Sequence, residues 1–361
     1  MNILEKAKIL SNSGEYDSCG PKACEVKVNS GLGGIYHAKA EHKTCRLFKT
    51  LMNNSCSFDC KYCSNSKSSR CKNKKAKYEP KELVTVFSYL KTNLAVEGLF
   101  LSSGIGKDPD KTTEKMLEAV RALRHRHHFR GYIHFKILPG TSYHLIKEAS
   151  GLATRMSINI EAPNKSVLSE LSTNKEYKTD ILRRQAWISR LNKNQATQII
   201  LNKLATDKDI LKMCSWEYDK LNLRRIYFSA FRPVKGTPLE NEPAEPLARQ
   251  NNLYNADFLR RRYGYNLKEF NQIMENDMLP KQDPKLALAI ANFEKPIDIN
   301  QASYEELIRI PGIGPVTAGK IAAGARITKY EDLHKLGGWV KRAKPFIEVD
   351  GKRQKMLAEF T

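Results

Sequence analysis

Apolar residues recur with two different periods over the first 240 residues of the chain. From Leu83 to Leu94 they follow helical spacing. Further helical stretches are predicted at 112–131, 141–153, 176–193 and 207–219. Between these stretches lie short apolar runs that predict buried strands, at 47–52, 98–104, 132–138, 155–161, 197–201 and 225–230. This alternation predicts an α/β fold with a parallel sheet, built as an open or partial (β/α)6 barrel whose chemistry lies at the carboxyl ends of the strands.

The C-terminal part of the chain has a different, all-helical pattern. Ser303 and Glu306 form a capping box, and Ile310-Pro-Gly-Ile-Gly314 predicts a tight turn between two helices. Tyr304-Glu-Glu-Leu recurs as Tyr330-Glu-Asp-Leu, followed by a second glycine turn. Each unit resembles a helix-hairpin-helix of repair and replication proteins, whose backbone amides approach a DNA phosphate. The DNA-binding residues implied are Pro311, Gly312, Ile313, Gly314, Lys320, Gly337 and Gly338. The alternative is a packing or protein-contact element.

The charge of the chain favours a polyanionic partner. The 61 basic residues exceed the 39 acidic ones, for a net charge of +22, and composition is otherwise that of a globular protein. Residues 61–81 alone hold eight basic residues and one acidic residue, while residues 121–136 hold five basic residues and no acidic residue. With no apolar run long enough to cross a bilayer and no signal-peptide pattern, we expect a cytoplasmic protein without a membrane partner.

Seven of the eight cysteines fall within the first 71 residues. The tightest group, Cys56, Cys60 and Cys63, has C-x3-C-x2-C spacing directly after the first predicted strand. Three thiolates on one loop can bind three irons of a cubane cluster and leave the fourth iron open. Zinc, which usually takes four ligands, and three unrelated thiols are the alternatives.

This loop, with Tyr62 before the last cysteine, resembles the signature of the radical S-adenosylmethionine (SAM) superfamily. More closely, the chain resembles a radical SAM family assigned to DNA modification or repair, often encoded beside a uracil-DNA glycosylase-like protein. Segments that carry this closer likeness include 16–19, 97–104, 131–136, 157–161, 227–231 and 283–287. The resemblance implies a [4Fe-4S] cluster on the three cysteines, SAM on the open iron, and a 5′-deoxyadenosyl radical that takes a hydrogen atom from the substrate.

Several positions are then expected to bind SAM. Ser102-Ser103-Gly104 stands where the superfamily has Gly-Gly-Glu, so backbone carbonyls replace the missing acid. Asn159 and Glu161 are expected to share one face of the fourth strand, although local hydrogen bonds at a strand end are an equal alternative. Tyr62 is expected near adenine. Lys136 is expected to bind the SAM carboxylate or a substrate phosphate if it faces the barrel interior, and to be a surface charge otherwise.

The remaining cysteines are harder to interpret. Cys19, Cys24, Cys45 and Cys71 are candidates for a second iron–sulfur cluster or zinc, and the alternative is small buried residues. Cys214 and Tyr227 are candidate hydrogen-atom donors.

We expect four regions: an N-terminal cysteine-containing segment (1–44), the barrel (45–240), a helical extension and linker (241–296), and a tandem helix-hairpin-helix domain (297–361). The expected function is a radical SAM enzyme that repairs or modifies a nucleotide in DNA, flipped out of the duplex. A reductase such as flavodoxin or ferredoxin, and a uracil-DNA glycosylase-like protein, are expected partners. A radical SAM enzyme of RNA and a non-catalytic DNA-binding iron–sulfur protein are the alternatives.

Overall fold

The computed structural model describes residues 1–14, 26–27, 33–40 and 43–353. The helices are α1 (Ile3–Ser13), α2 (Pro80–Leu94), α3 (Pro109–Arg121), α4 (Tyr143–Leu152), α5 (Lys165–Leu171), α6 (Arg183–Leu191), α7 (Asp207–Leu221), α8 (Leu247–Tyr263), α9 (Leu267–Asn271), α10 (Pro284–Asn292), α11 (Tyr304–Arg309), α12 (Pro315–Ala322), α13 (Tyr330–Lys335) and α14 (Val340–Ala343). The strands are β1 (Val26–Lys27), β2 (Ile35–Ala40), β3 (Lys43–Leu51), β4 (Gly98–Ser102), β5 (Tyr132–Lys136), β6 (Arg155–Ser157), β7 (Gln195–Leu201), β8 (Arg225–Ala230), β9 (Ile297–Asp298), β10 (Ile347–Val349) and β11 (Lys352–Arg353).

The chain forms two compact units. The first comprises Met1–Ala205 and Met213–Glu245, and the second comprises Thr206–Lys212 and the chain from Pro246 onward. No helix in the described part of either unit is both long enough and apolar enough to span a bilayer.

The first unit is built on a sheet whose eight strands lie side by side in chain order, β1 to β8. The six strands β3 to β8 are all parallel, and β1 and β2 extend the sheet as an antiparallel edge. Leu99, Ile133 and Met156 lie in one apolar core with residues of α2, α3 and α4. This half-barrel sheet with its outer helices confirms the predicted fold class.

Some predicted bounds were wrong. The strand expected at 155–161 ends at Ser157. Beyond it, Ile160 N–H donates to the Thr197 hydroxyl (2.9 Å) and not to a β7 carbonyl, and Ala162 N–H donates to the Ile160 carbonyl (2.8 Å) in a turn. The helix expected at 176–193 begins as a π-helical segment, Tyr177–Leu182, before α6. The antiparallel edge strands and α5 were not predicted.

The second unit is mainly helical. Its apolar core takes residues from α10 to α14, together with Ile347 and Val349 of a small three-stranded sheet, β11-β10-β9. α11 and α12 form the first hairpin, and α13 and α14 the second. The predicted capping box is confirmed, since Ser303 and Glu306 exchange backbone-to-side-chain hydrogen bonds.

Candidate functional site

The loop that carries Cys56, Cys60 and Cys63 follows β3, at the carboxyl edge of the parallel strands. The loop is folded on itself, because Cys63 N–H donates to the Cys60 carbonyl (3.1 Å) and Cys56 N–H to that of Asn65 (3.2 Å). Ser57 N–H also donates to the carbonyl of Ile105 (2.7 Å), beyond β4. The cysteines are therefore held where a (β/α) fold places its chemistry.

The three thiols lie close enough to perturb one another. Burial, and then the nearby Cys60, raise the pKa of the Cys63 thiol to about 12. Burial also raises the pKa of Cys56, against two backbone hydrogen bonds that lower it. In the described residues, no three His, Cys, Asp or Glu side chains converge on a single ion. A cubane does not need such convergence, because each thiolate binds a different iron. Three thiolates on one loop suit three irons of a [4Fe-4S] cluster, whereas mononuclear zinc usually takes a fourth ligand.

Asp59 ties the cysteine loop to the segment after α5. Its carboxylate accepts hydrogen bonds from the Ser172 hydroxyl (2.6 Å) and from the backbone amides of Thr173 (3.1 Å) and Asn174 (3.2 Å). Although burial opposes it, these donors hold the pKa of Asp59 well below its usual range. Asp59 thereby fixes the position of the next residue, Lys175.

Lys175 brings a buried cation to the cysteines. Its ammonium lies 3.1 Å from a Glu161 carboxylate oxygen and 3.2 Å from the Tyr62 hydroxyl, and it lies near the Cys60 thiol. The side chains of Lys175 and Glu161 are 7% and 10% exposed. Burial alone would lower the pKa of this amine, but Cys60 and Glu161 outweigh it and raise the pKa above its usual value. Lys175 thus compensates the negative charge of Glu161 and would also offset that of thiolates bound to a cluster.

Glu161 adopts an unusual backbone conformation. Its φ of +64° is left-handed, and it rejoins the sheet through Gln198 and Ile200 of β7. The expectation that Asn159 and Glu161 share a strand face was therefore wrong in its premise, because the strand ends before both residues. Glu161 still lies at the cysteine loop, since Lys175 contacts both Glu161 and Tyr62. Asn159 is half-buried. Their roles toward SAM stay predictions.

Ser102, Ser103 and Gly104 lie at the carboxyl end of β4, packed on the segment before the cysteines. The Ser102 carbonyl accepts from Met52 N–H (2.8 Å), and Gly104 N–H donates to the Asn53 carbonyl (2.7 Å). A Cβ at Gly104 would lie 2.9 Å from the Ser55 carbonyl oxygen, so glycine permits this close approach. Lys136, half-buried, ends β5 and pairs in register with Ser157.

Among the other cysteines, Cys19 and Cys24 lie outside the described residues. Cys45 lies on β3, where burial and then Glu97 raise the pKa of its thiol. The Cys71 thiol donates to the Lys235 carbonyl (3.0 Å). Cys214 is buried in α7, and the Tyr227 hydroxyl accepts from Arg155 (3.1 Å). A second metal site and both hydrogen-atom donors stay predictions.

In the second unit, the two glycine turns pack directly against each other. Gly312 has φ +87° and Gly337 has φ +93°. Trp339 N–H donates to the Gly312 carbonyl (2.8 Å), and the Thr317 hydroxyl donates to that of Leu336 (3.2 Å). A Cβ at Gly312 would lie 2.4 Å from the Trp339 carbonyl oxygen. Both the φ value and the close approach therefore require glycine.

Helix α10 supports these turns from outside the hairpins. The Lys285 ammonium donates to the Ile313 carbonyl (2.7 Å) and lies 4.4 Å from the ring centre of Tyr263. Asp283 caps α10 and pairs with Arg342 of α14 (3.3 Å). The segment Asp283-Pro-Lys285 thus contacts both hairpins.

Family comparisons agree with this division of the chain. Residues 50–216 match the model of the radical SAM superfamily, and residues 295–324 match that of the helix-hairpin-helix motif. The chain therefore contains a radical SAM domain followed by a helix-hairpin-helix motif. The superfamily that this model describes consists of enzymes that use a [4Fe-4S] cluster and SAM. None of the curated proteins matches the chain.

Several solved structures are similar to part of the chain. The [FeFe]-hydrogenase maturase HydG from Carboxydothermus hydrogenoformans is 15% identical over 59% of this chain and 50% of its own, with a TM-score of 0.47. Methylornithine synthase (PylB) is 14% identical over 59% of this chain and 61% of its own, with a TM-score of 0.48. SuiB from Streptococcus suis is 12% identical over 60% and 46%, also with a TM-score of 0.48. The chain spans about half to three fifths of the length of these structures.

Sequence reasoning missed Asp59 and Lys175. Asp59 stands between two predicted ligands, but nothing in the loop indicates its partners, which lie more than 110 residues away. Lys175 follows a Ser-Thr-Asn turn with no motif of its own. Only the folded chain brings these residues to the cysteines.

Proposed function

We propose that this protein is a radical SAM enzyme that acts on DNA, to repair a lesion or to modify a nucleotide. The observation that carries the proposal is the joining, in one chain, of the cysteine loop to two glycine turns that pack as a pair. A single hairpin would contact one phosphate stretch, whereas two adjacent turns suit a duplex with two backbones.

The first unit supports the enzyme part of the proposal. Cys56, Cys60 and Cys63 would hold the [4Fe-4S] cluster, and Lys175, Glu161 and Tyr62 lie where SAM would bind beside it. When bound, the reduced cluster supplies the electron that cleaves SAM to a 5′-deoxyadenosyl radical. Flavodoxin or ferredoxin is the class of protein that would donate this electron.

The side chains of this unit prepare the site before any ligand binds. Lys175 offsets the thiolate charge and offers its ammonium to a carboxylate. Glu161 competes for that ammonium and accepts hydrogen bonds from hydroxyl groups. Asp59 keeps the Lys175 segment in place. Because these groups are mostly buried, water is excluded from the position where a reactive intermediate would form.

The second unit supports the DNA part. The first amides of α12 have no partner within the helix, and Gly312 and Gly314 carry no side chain that would obstruct a phosphate. Such contacts position a duplex without reading its sequence. The uracil-DNA glycosylase-like partner remains a prediction from the family resemblance.

Two assays on the anaerobically reconstituted full chain test the proposal. The first measures 5′-deoxyadenosine after reduction with dithionite in the presence of SAM. The second measures competition among duplex DNA, single-stranded DNA and transfer RNA. We expect SAM cleavage and preference for duplex DNA. Preference for transfer RNA would favour the RNA enzyme, and absence of both SAM binding and cleavage would favour a non-catalytic iron–sulfur protein.

A further inference from the structure

The concave face of the sheet has an unusual charge pattern. Leu99, Ile133 and Met156 face the outer helices, so alternate residues of the same strands face the hollow of the half-barrel. By register these include four cations, Lys49, Lys136, Arg155 and Arg225. In the described strands β3 to β8, no Asp or Glu occupies a position on this face. These strands therefore supply basic side chains and no carboxylate to the hollow.

Arg155 is held in this hollow by neutral groups. Its Nε donates to Asn194 Oδ1 (3.0 Å) and its Nη1 to the Tyr227 hydroxyl (3.1 Å), across the sheet. The guanidinium is half-buried, and within the described part of the chain it contacts no carboxylate. These contacts fix the guanidinium plane and leave Nη2 available to another acceptor.

His134 lies between Arg155 and Lys136 and shows how close these cations are. Burial, then Arg155, then Lys136 lower the pKa of the fully buried imidazole. The ring stays neutral, with its Nε2 2.8 Å from the Ser157 hydroxyl oxygen and an edge-to-face contact with the Phe100 ring. A group that binds here thus meets two cations, with a hydroxyl beside them.

We propose that Arg155 and Lys136, with the Ser157 hydroxyl, bind a phosphate group of the substrate inside the half-barrel. The choice of phosphate among anions rests on the proposed function, since a nucleotide carries one. A guanidinium edge and an ammonium on adjacent strands match the several oxygens of a phosphate.

The site lies on the path from the cysteine loop into the sheet. Lys136 and Ser157 are paired at the carboxyl ends of β5 and β6, and Arg155 lies two residues deeper, about 7 Å along the strand. The cysteine loop follows β3 at the same edge. The substrate atom that reacts would then belong to the nucleotide whose phosphate Arg155 holds, or to its neighbour.

The test measures phosphate-dependent binding to the full chain by equilibrium dialysis. The probes are thymidine 5′-monophosphate, thymidine, and a short single-stranded oligonucleotide without terminal phosphates. We expect the wild-type chain to prefer the monophosphate to thymidine, and Arg155→Met to reduce that preference at least tenfold. If only the oligonucleotide shows Arg155-dependent binding, the phosphate is an internucleotide one, which also supports the site.

Arg183→Met, on the exposed surface of α6, is the matched control and should leave all affinities unchanged. Lys136→Met provides a second variant if Arg155→Met proves unfolded by circular dichroism. Equal affinities of wild type, Arg155→Met and Lys136→Met for every probe would overturn the inference. Duplex affinity is measured on the same samples. If the wild-type chain shows no duplex affinity but keeps its Arg155-dependent binding of the phosphate probe, the DNA proposal is rejected and the phosphate site is still supported.

Discussion

A buried lysine, Lys175, lies beside the cysteine loop, and a half-buried lysine, Lys285, lies beside the paired hairpins. The two lysines differ in their surroundings. Lys175 lies beside Cys60 and Glu161, whose interactions with it raise the pKa of its amine against the effect of burial. Lys285 lies against a carbonyl and an aromatic ring, and burial lowers the pKa of its amine to about 7 despite the nearby Asp283.

This difference separates two ways of binding an anion. The first unit concentrates charged side chains around the thiols and compensates them with one another. The second unit relies on backbone geometry, and Lys285 supports the first glycine turn through a hydrogen bond to the Ile313 carbonyl. Charge changes should therefore affect the first region most, and backbone changes the second.

The largest effect expected is the loss of the cluster. Replacement of Cys56, Cys60 and Cys63 by alanine should remove iron, sulfide and SAM cleavage together, because each thiolate binds a separate iron. Iron and sulfide analysis after anaerobic reconstitution measures this, with Cys214→Ala as the control. Iron retained by the triple variant would instead support a second metal site at the remaining cysteines.

Lys175→Met sharpens the comparison by removing the ammonium charge and its hydrogen bonds while keeping a side chain of similar length. We expect the cluster to form but SAM to bind roughly tenfold to hundredfold more weakly, as charge-assisted hydrogen bonds contribute about 1.5–3 kcal/mol. Equilibrium dialysis gives the SAM affinity, and the change in the cluster's electron paramagnetic resonance spectrum on adding SAM gives a second readout. Asp59→Asn should produce a smaller effect of the same kind, because it loosens the Lys175 segment. Unchanged SAM affinity and spectrum in Lys175→Met would remove Lys175 from the site.

The fold was largely predictable from sequence, because each βα unit has a local hydrophobic period and each glycine turn a local motif. The three cysteines and the glycine turns were predicted for the same reason. Asp59, Lys175 and Lys285 were not assigned roles, since their partners are 113, 14 and 28 residues away and no local pattern indicates them. The strand expected through Glu161 failed because the apolar alternation continues through Ile158 and Ile160, beyond the end of the strand at Ser157.

Gly312→Ala tests the hairpins by backbone change alone. At φ +87° and 2.4 Å from the Trp339 carbonyl oxygen, an added Cβ should separate the two turns. We expect duplex affinity to fall about tenfold, measured by fluorescence anisotropy, with iron content unchanged. The control is Gly319→Ala, where a Cβ within α12 meets nothing within 4 Å. It should keep duplex affinity and stabilise the helix by about 0.5–1 kcal/mol. Equal behaviour of the two variants would contradict the assigned role of the paired turns.

The smallest effect expected is the pH dependence of the hairpin unit. Because the folded pKa of Lys285, about 7, lies below its usual value of 10.5, the folded chain binds fewer protons than the unfolded chain between these limits. The free energy of unfolding of the hairpins should therefore rise with pH above 7, by up to about 1.4 kcal/mol per unit. Amide hydrogen exchange of residues 304–343 at pH 7, 8 and 9 measures it, after correction for the intrinsic exchange rate. Lys285→Met should abolish the rise, while Lys320→Met, at an exposed position of α12, should retain it. If the rise persists in Lys285→Met, the Lys285 amine is not its source, and the contrast between the lowered pKa of Lys285 and the raised pKa of Lys175 is wrong.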